Sequence, residues 1–253
     1  DVQIQRIVYF YEILGIPRIG DKTAEKFWES GMIKPEDIAK ARVDSFKKIK
    51  GFGDKSATSM YNNIHKTLEK VPIDRYYLAS AQFSKGLGRE TIKQAFRDVP
   101  DLFEMSETEI KKALKGVKEF GPKRIEQLAK GLPEFKKYVF SFAKDDVMKS
   151  LSYHKAKRKE MLAKGINRKI NGKTFVFTGF MGNVDYDLED YVYDNGGKFS
   201  KIVNSNVSAV VSGNLLDVTK KMKEAQSLGI PILSLNEFLE KYEIILEKYN
   251  EKN

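Results

Sequence analysis

The sequence predicts an all-helical domain of four repeats, followed by a small α/β domain with a parallel sheet. Three observations carry this prediction. A glycine followed by a helical apolar pattern recurs four times before residue 143, at spacings of 33, 35 and 33 residues. After residue 171, short apolar runs of β-favouring residues alternate with helical segments. The net charge of +10 for the chain arises before residue 171.

Composition excludes several classes of protein. The 253 residues contain no cysteine, which removes disulfide scaffolds, thiol catalysis and thiolate metal sites. His65 and His154 lie far apart without metal or triad spacing, so we expect no catalytic residues and no metal site in this chain. No apolar run of 18 residues occurs, and we expect no membrane partner and a cytoplasmic location.

The charge distribution divides the chain into three parts. Residues 1–142 carry a net charge of +7, residues 143–170 carry +6 and residues 171–253 carry −3. A basic excess of this size favours a polyanionic partner. We predict a helical domain over 1–142, a basic linker over 143–170 and an α/β domain over 171–253. For the basic run 155–159, a solvated helix face and a phosphate contact remain open alternatives.

Each repeat is predicted to form a helix, a tight hairpin and a second helix. In the hairpins, two glycines, or one glycine and another residue, flank a single apolar residue. This pattern suits a turn that needs a positive φ or a close approach, with the apolar residue inserted into the core. Trp28 is expected to pack between the helices of its repeat. The four segments are residues 16–24, 49–57, 84–92 and 117–125.

The start of each second helix is a candidate phosphate site. Its N–H groups are unpaired, the helix dipole is positive there, and glycine permits close approach without any base readout. A single such turn can merely join two helices, but four with basic residues at similar offsets favour DNA contact. Arg18 and Glu119 replace the first glycine in two hairpins, and Glu119 would repel a phosphate. The candidate DNA-binding residues are Gly20, Lys22, Gly51, Gly53, Lys55, Gly86, Gly88, Arg89, Gly121 and Lys123.

These repeats resemble the tandem helix-hairpin-helix domain of NAD-dependent DNA ligases, and residues 51–57 are similar to that family's second hairpin. Residues 172–245 look like a BRCT domain, in particular the single one that ends such ligases. The segments that carry this second resemblance are 172–179, 196–198, 228–233 and 237–239, together with Lys221 and Ala225. The resemblance implies the C-terminal half of a ligase, or a separate subunit of one, that grips nicked double-stranded DNA in replication and repair.

Several features of that family are missing from these residues. The sequence contains no Lys-x-Asp-Gly nucleophile motif and no cysteines for the family's zinc site. The resemblance therefore implies that the chain itself binds no NAD and is inactive alone. It implies that NAD and a divalent metal such as Mg serve the complete ligase. The implied protein partner is the adenylation and oligonucleotide-binding part, on an upstream segment or a separate chain.

The BRCT-like region contains one further candidate site. Thr178, Gly179 and Lys221 match positions that hold a phosphate in some BRCT domains, through a hydroxyl, a backbone N–H and an ammonium group. The alternative is that Thr178 merely ends a strand and Lys221 is solvated. Two other functions remain open: a non-catalytic repair or replication adaptor whose BRCT domain binds a phosphorylated partner, and an accessory to a structure-specific nuclease.

Overall fold

A computed structural model of the chain describes residues 2–118, 120–180 and 186–246. They form two compact units, Asp1–Ala156 and Lys157–Asn253. The described elements of the first unit are all helices, whereas the second unit contains a four-stranded parallel sheet with helices. The predicted fold class is therefore confirmed. No helix among the described residues combines the length and the apolar character that crossing a membrane requires.

The helices of the first unit follow the predicted repeats. Hairpins 1 to 4, which we define as residues 17–20, 50–53, 85–88 and 118–121, each lead directly into a helix. The helices are α1 (Val2–Ile13), α2 (Asp21–Glu29), α3 (Pro35–Lys40), α4 (Val43–Lys47), α5 (Asp54–Leu68), α6 (Ile73–Ala79), α7 (Arg89–Asp98), α8 (Glu107–Leu114) and α9 (Pro122–Lys164), with a 3-10 turn at Leu102–Glu104.

Tyrosines with internal hydrogen bonds anchor the core of this unit. Tyr11 and Tyr76 are fully buried, and their hydroxyls donate to backbone carbonyl oxygens 2.7 Å away, at Pro35 and Leu68 respectively. Burial raises the pKa of Tyr11 well above its usual value, and the charge of Glu36 adds to the effect. The Tyr11 hydroxyl therefore stays a donor, which satisfies a polar group that would otherwise be costly inside the core.

The segment predicted as a basic linker is helical over most of its length. The backbone leaves helical geometry at Ala143 (φ −139°, ψ 30°), where the sequence predicts a break, and the helix then continues to Lys164. Asp146 and Ser150 are buried: Asp146 Oδ2 lies 2.8 Å from His65 Nδ1, and Ser150 Oγ donates to the Val71 carbonyl. Because these polar contacts join residues far apart in sequence, apolar periodicity did not reveal them. The stretch up to residue 156 belongs to the first unit.

The second unit is built on the short parallel strands β1 (Thr174–Thr178), β2 (Lys198–Phe199), β3 (Ala209–Ser212) and β4 (Ile232–Ser234), in the order β2-β1-β3-β4. Strand β1 lies centrally, with Phe175 opposite Phe199 of β2 and Ala209 of β3. Gly196-Gly197 ends the first helix, as the sequence predicts. The helices are α10 (Tyr186–Asp194), α11 (Lys220–Ser227) and α12 (Leu235–Lys241).

Helices cover both faces of this sheet. On one face the Phe175 ring packs edge-on against Phe238 of α12 and Tyr242, with centroids 4.9 and 4.8 Å apart. On the other face, Val176 packs with a cluster that includes Met222 of α11. Alternate residues of β1 thus enter two separate cores, which explains why the strand is apolar without interruption.

We predict that Phe238→Ala destabilises the second unit by about 3–5 kcal/mol, because Phe238 is fully buried and its loss leaves a cavity between three aromatic rings. Urea denaturation of the chain measures this change. The control is Leu216→Ala, where the side chain is 94% exposed and the change should stay within about 0.5 kcal/mol. Equal stability of the two variants would contradict the assigned core.

Candidate nucleic-acid interface

One position in each of hairpins 1, 2 and 3 takes the left-handed backbone conformation. Arg18, Gly51 and Gly86 occupy equivalent places, with φ of 69°, 85° and 82°. The fourth equivalent, Glu119, lies outside the described residues. Glycine adopts this conformation without strain, which explains why the first of these positions in hairpins 2 and 3 is a glycine. Arg18 adopts the same conformation although it carries a side chain.

The glycine that ends each hairpin needs a different explanation. Gly20, Gly53 and Gly88 are the N-caps of their helices and have extended backbones with φ of −93°, −97° and −71°. The expectation of a positive φ is therefore wrong for these three glycines. A Cβ added at Gly20, Gly53 or Gly121 would meet no atom within 4 Å. The open space above these helix starts leaves room for a ligand to approach the backbone.

The apolar residue between the two turn positions enters the core, as the sequence predicts. Ile19, Leu87 and Phe120 are buried. Phe52 is half-buried, and its ring centroid lies 6.2 Å from that of Phe27. In hairpins 1, 2 and 3 this side chain therefore holds the turn against the core, while the outer surface of the turn remains exposed.

The lysines that follow the hairpins are available for a ligand. Lys22, Lys55 and Lys123 are exposed and form no ion pair with any residue that the structure describes. Several lysines elsewhere are paired with carboxylates: Lys111 Nζ lies 2.7 Å from Glu107, and Lys155 Nζ lies 2.6 Å from Glu104. Arg89 differs from the three lysines because it is half-buried and has an interaction within the protein.

The negative charge of an acidic residue at the start of α5 is balanced by a neighbouring lysine. Asp54 follows Gly53 directly, and its carboxylate would repel a phosphate. Lys47 Nζ lies 3.1 Å from Asp54 Oδ1, and the hydrogen bond and charge of Asp54 raise the pKa of Lys47 above its usual value. The pair reduces the repulsion at this helix start. The Gly53 N–H itself donates to Ser56 Oγ over 2.8 Å.

Sequence reasoning missed Lys26, which joins hairpin 2 from the neighbouring repeat. Its Nζ lies 5.9 Å from the centroid of the Phe52 ring and would be 3.4 Å from a Cβ at Gly51. Lys26 makes no ion pair within the described part of the chain. Its position six residues after Gly20 does not predict this contact from the sequence. Only the packing of repeat 1 on repeat 2 brings the Lys26 side chain next to hairpin 2.

Trp28 is not the packing residue that the sequence suggests. Its side chain is 41% exposed, and the neighbouring Phe27 is buried in its place. Successive helical residues point about 100° apart, so only one of two adjacent aromatics can face the core. Phe27 takes that position against Phe46, with ring centroids 5.8 Å apart.

In the second unit the structure brings Thr178 and Lys221 to the same end of strand β1. Thr178 Oγ1 lies 3.0 Å from Oγ1 of Thr219, the N-cap of α11, and Lys221 Nζ lies 3.4 Å from the Phe177 carbonyl oxygen. Gly179 follows with φ of 69°. The hydroxyl and the ammonium group thus lie at the same end of β1, and both have partners inside the protein.

Comparison with known proteins identifies both regions. Residues 10–66 match the model of the SAM-like helix-hairpin-helix tandem, and residues 166–240 match that of the BRCA1 C Terminus (BRCT) domain. A DNA ligase of Acanthamoeba polyphaga mimivirus is 25% identical over 96% of this chain and 37% of its own length. A DNA ligase of Desulfotalea psychrophila is 28% identical over 89% of this chain and 32% of its own length.

The resemblance to a DNA ligase is confirmed. The chain spans about a third of the length of the curated DNA ligases it matches, and its two domains are consistent with the C-terminal half of such a ligase. The helix-hairpin-helix match covers hairpins 1 and 2. Hairpin 3 shows the same turn in the structure, with a left-handed glycine and a glycine N-cap.

We predict that Gly51→Ala destabilises the ligase-like first unit by about 1–2 kcal/mol, because alanine is strained in the left-handed conformation. Gly53→Ala serves as the matched variant, two residues away. Its extended backbone and open surroundings accept a methyl group, and we expect a change within about 0.5 kcal/mol. Thermal and urea denaturation of both variants measure the difference. Equal losses would show that the two glycines do not have separate roles.

Proposed function

We propose that this chain is the DNA-binding C-terminal part of an NAD-dependent DNA ligase, and that it holds nicked duplex DNA for sealing. The observation that carries the proposal is the repeated hairpin: a helix start with open space above a glycine N-cap, followed by a lysine without an ion pair among the described residues. The similarity to DNA ligases over nearly the whole chain supports it.

Phosphate oxygens are the ligand that this chemistry favours. Backbone N–H groups at a helix start can donate to a phosphate, the helix dipole is attractive there, and an ammonium group adds a charge-assisted bond. Phosphates occur at every nucleotide, so these contacts fix the position of a duplex without reading its sequence. Four such hairpins would hold both strands across the minor groove, at a nucleoid or a viral replication site.

The chemical steps are assigned to another part of the ligase. The Lys-x-Asp-Gly motif is absent from these 253 residues, so we propose that adenylation by NAD and the use of a divalent metal belong to the adenylation and oligonucleotide-binding part. This chain would contribute by positioning the nicked ends. Holding reactants in near-attack geometry can supply up to about 7–11 kcal/mol of a barrier.

We predict that the chain binds duplex DNA without sequence preference. Contacts with about 5 to 8 phosphates would make the logarithm of the affinity fall with the logarithm of salt concentration, with a slope of roughly −4 to −7. Fluorescence anisotropy with two unrelated duplexes over a salt series measures both properties. Salt-independent binding, or a preference above about tenfold between the duplexes, would refute the proposal.

Two lysine variants, measured over the same salt series, test whether Lys26 contacts DNA. Lys26→Met should make the salt slope shallower by about 0.9, the value for one lost phosphate contact. The matched control is Lys40→Met, an exposed lysine at the end of α3, which should keep the wild-type slope. The same slope for both variants would remove Lys26 from the interface.

We predict that Gly53→Val weakens DNA binding about tenfold, equivalent to about 1.4 kcal/mol, while the chain remains folded. Valine accepts the extended backbone of this residue, and its methyl groups occupy the open space over the start of α5. Thr58→Val, an exposed site one turn further along the helix, is the control. Unchanged affinity in a folded Gly53→Val protein would mean that the hairpins are only structural turns.

The last expectation concerns ligase chemistry. Labelled NAD should leave this chain unlabelled, and the chain alone should not seal a nick, because it lacks the nucleophile motif. Added to the matching adenylation part, it should raise the sealing rate. Covalent AMP on a lysine of this chain would overturn the assignment of chemistry, and an unchanged sealing rate would favour the adaptor function.

A further inference from the structure

Two glutamines connect hairpins 3 and 4 in a reciprocal way. Gln94 of α7 donates through Nε2 to the Lys118 carbonyl oxygen of hairpin 4, over 3.1 Å. Gln127 of α9 donates through Nε2 to the Lys85 carbonyl oxygen of hairpin 3. Each repeat therefore holds the turn of the other.

The two bonds are equivalent by position in the repeat. Each glutamine lies six residues after the glycine that directly precedes its helix, Gly88 or Gly121. Each acceptor lies three residues before that glycine of the other hairpin. Exchanging repeats 3 and 4 thus reproduces the same pair of bonds, as a local twofold arrangement would. Each acceptor carbonyl directly precedes the turn position, which is Gly86 in hairpin 3.

The arrangement assigns these side chains a role other than direct phosphate contact. Both glutamines are half-buried and uncharged, and the amide nitrogen of each already donates to a turn. A Cβ at Gly86 would lie 3.6 Å from Gln127 Nε2, so the amide sits directly against the turn. Lys26 occupies the same place in repeat 1 and brings a positive charge to hairpin 2 instead.

We propose that Gln94 and Gln127 are positioning residues that fix the separation of hairpins 3 and 4, so that the two hairpins bind phosphates of one duplex as a single unit. The inference rests on the proposed function of the hairpins. Phosphates in a duplex have set spacings, and a pair of sites already held at one spacing binds without the cost of ordering each turn separately.

The experiment compares Gln94→Met, Gln127→Met and the double variant of the full chain in duplex binding over a salt series. Methionine has a similar shape and cannot donate the hydrogen bond. We expect each single variant to bind about three- to tenfold more weakly. We also expect a salt slope shallower by about 1, because phosphate contacts are lost although no charge has been removed. Gln82→Met, at an exposed glutamine before hairpin 3, should leave both values unchanged.

A rescue variant separates the hydrogen bond from a loss of folding. Gln127→Lys keeps a donor and copies the residue of repeat 1, so we expect at least wild-type affinity. A loss as large as that of Gln127→Met would overturn the inference. Circular dichroism and melting curves confirm that the compared proteins are folded.

Other outcomes distinguish this inference from the proposed function. Wild-type affinity and slope in the folded methionine variants would overturn the positioning role and leave the DNA-binding function intact. Weaker binding with an unchanged slope would mean that the glutamines contact DNA directly, which also overturns it. Absence of salt-dependent duplex binding by the unmodified chain would overturn the proposed function, and the inference with it.

Discussion

The hairpins depend on one backbone constraint, a residue in the left-handed conformation followed two positions later by an extended glycine that starts a helix. Gly51 and Gly53 show the pattern, and Arg18 and Gly20 repeat it with a side chain at the first position. The left-handed residue reverses the chain, which sends the next, apolar residue into the core. The extended glycine then leaves the first N–H groups of the helix exposed.

Ion pairing distinguishes the hairpin lysines from several other lysines of the first unit. Some lysines on the helix surfaces have carboxylate partners, as Lys111 and Lys155 do, whereas others such as Lys40 have none among the described residues. Those after the hairpins, such as Lys55, have none among the described residues. A lysine already paired must give up its partner to bind a phosphate, whereas an unpaired one gives up only water. The lysines after the hairpins are therefore among those whose charge remains available to a polyanion.

In the second unit, the topology of the parallel sheet places the candidate phosphate-binding residues. In a parallel sheet the carboxyl ends of the strands meet at one edge, and the helix after β3 begins there. This brings Thr178 beside Thr219. A Cβ at Gly213 would lie 2.5 Å from the Gly179 carbonyl oxygen, so the two chain segments approach as closely as glycine permits. The internal partners of Thr178 and Lys221 account for their placement without a ligand.

The sequence by itself determined the four-repeat helical region, the parallel α/β region and the hairpins. Glycine spacing and apolar periodicity are local properties, and each repeat must satisfy them separately. The tertiary structure decided which of Phe27 and Trp28 is buried, that residues 143–156 pack with the first unit, and that Lys26 and Gln127 reach a neighbouring hairpin. Phe27 and Trp28 are adjacent aromatics that apolar periodicity alone does not rank, whereas Asp146, Lys26 and Gln127 contact residues distant in the chain through polar groups. Polar contacts of this kind leave no periodic pattern in a single sequence.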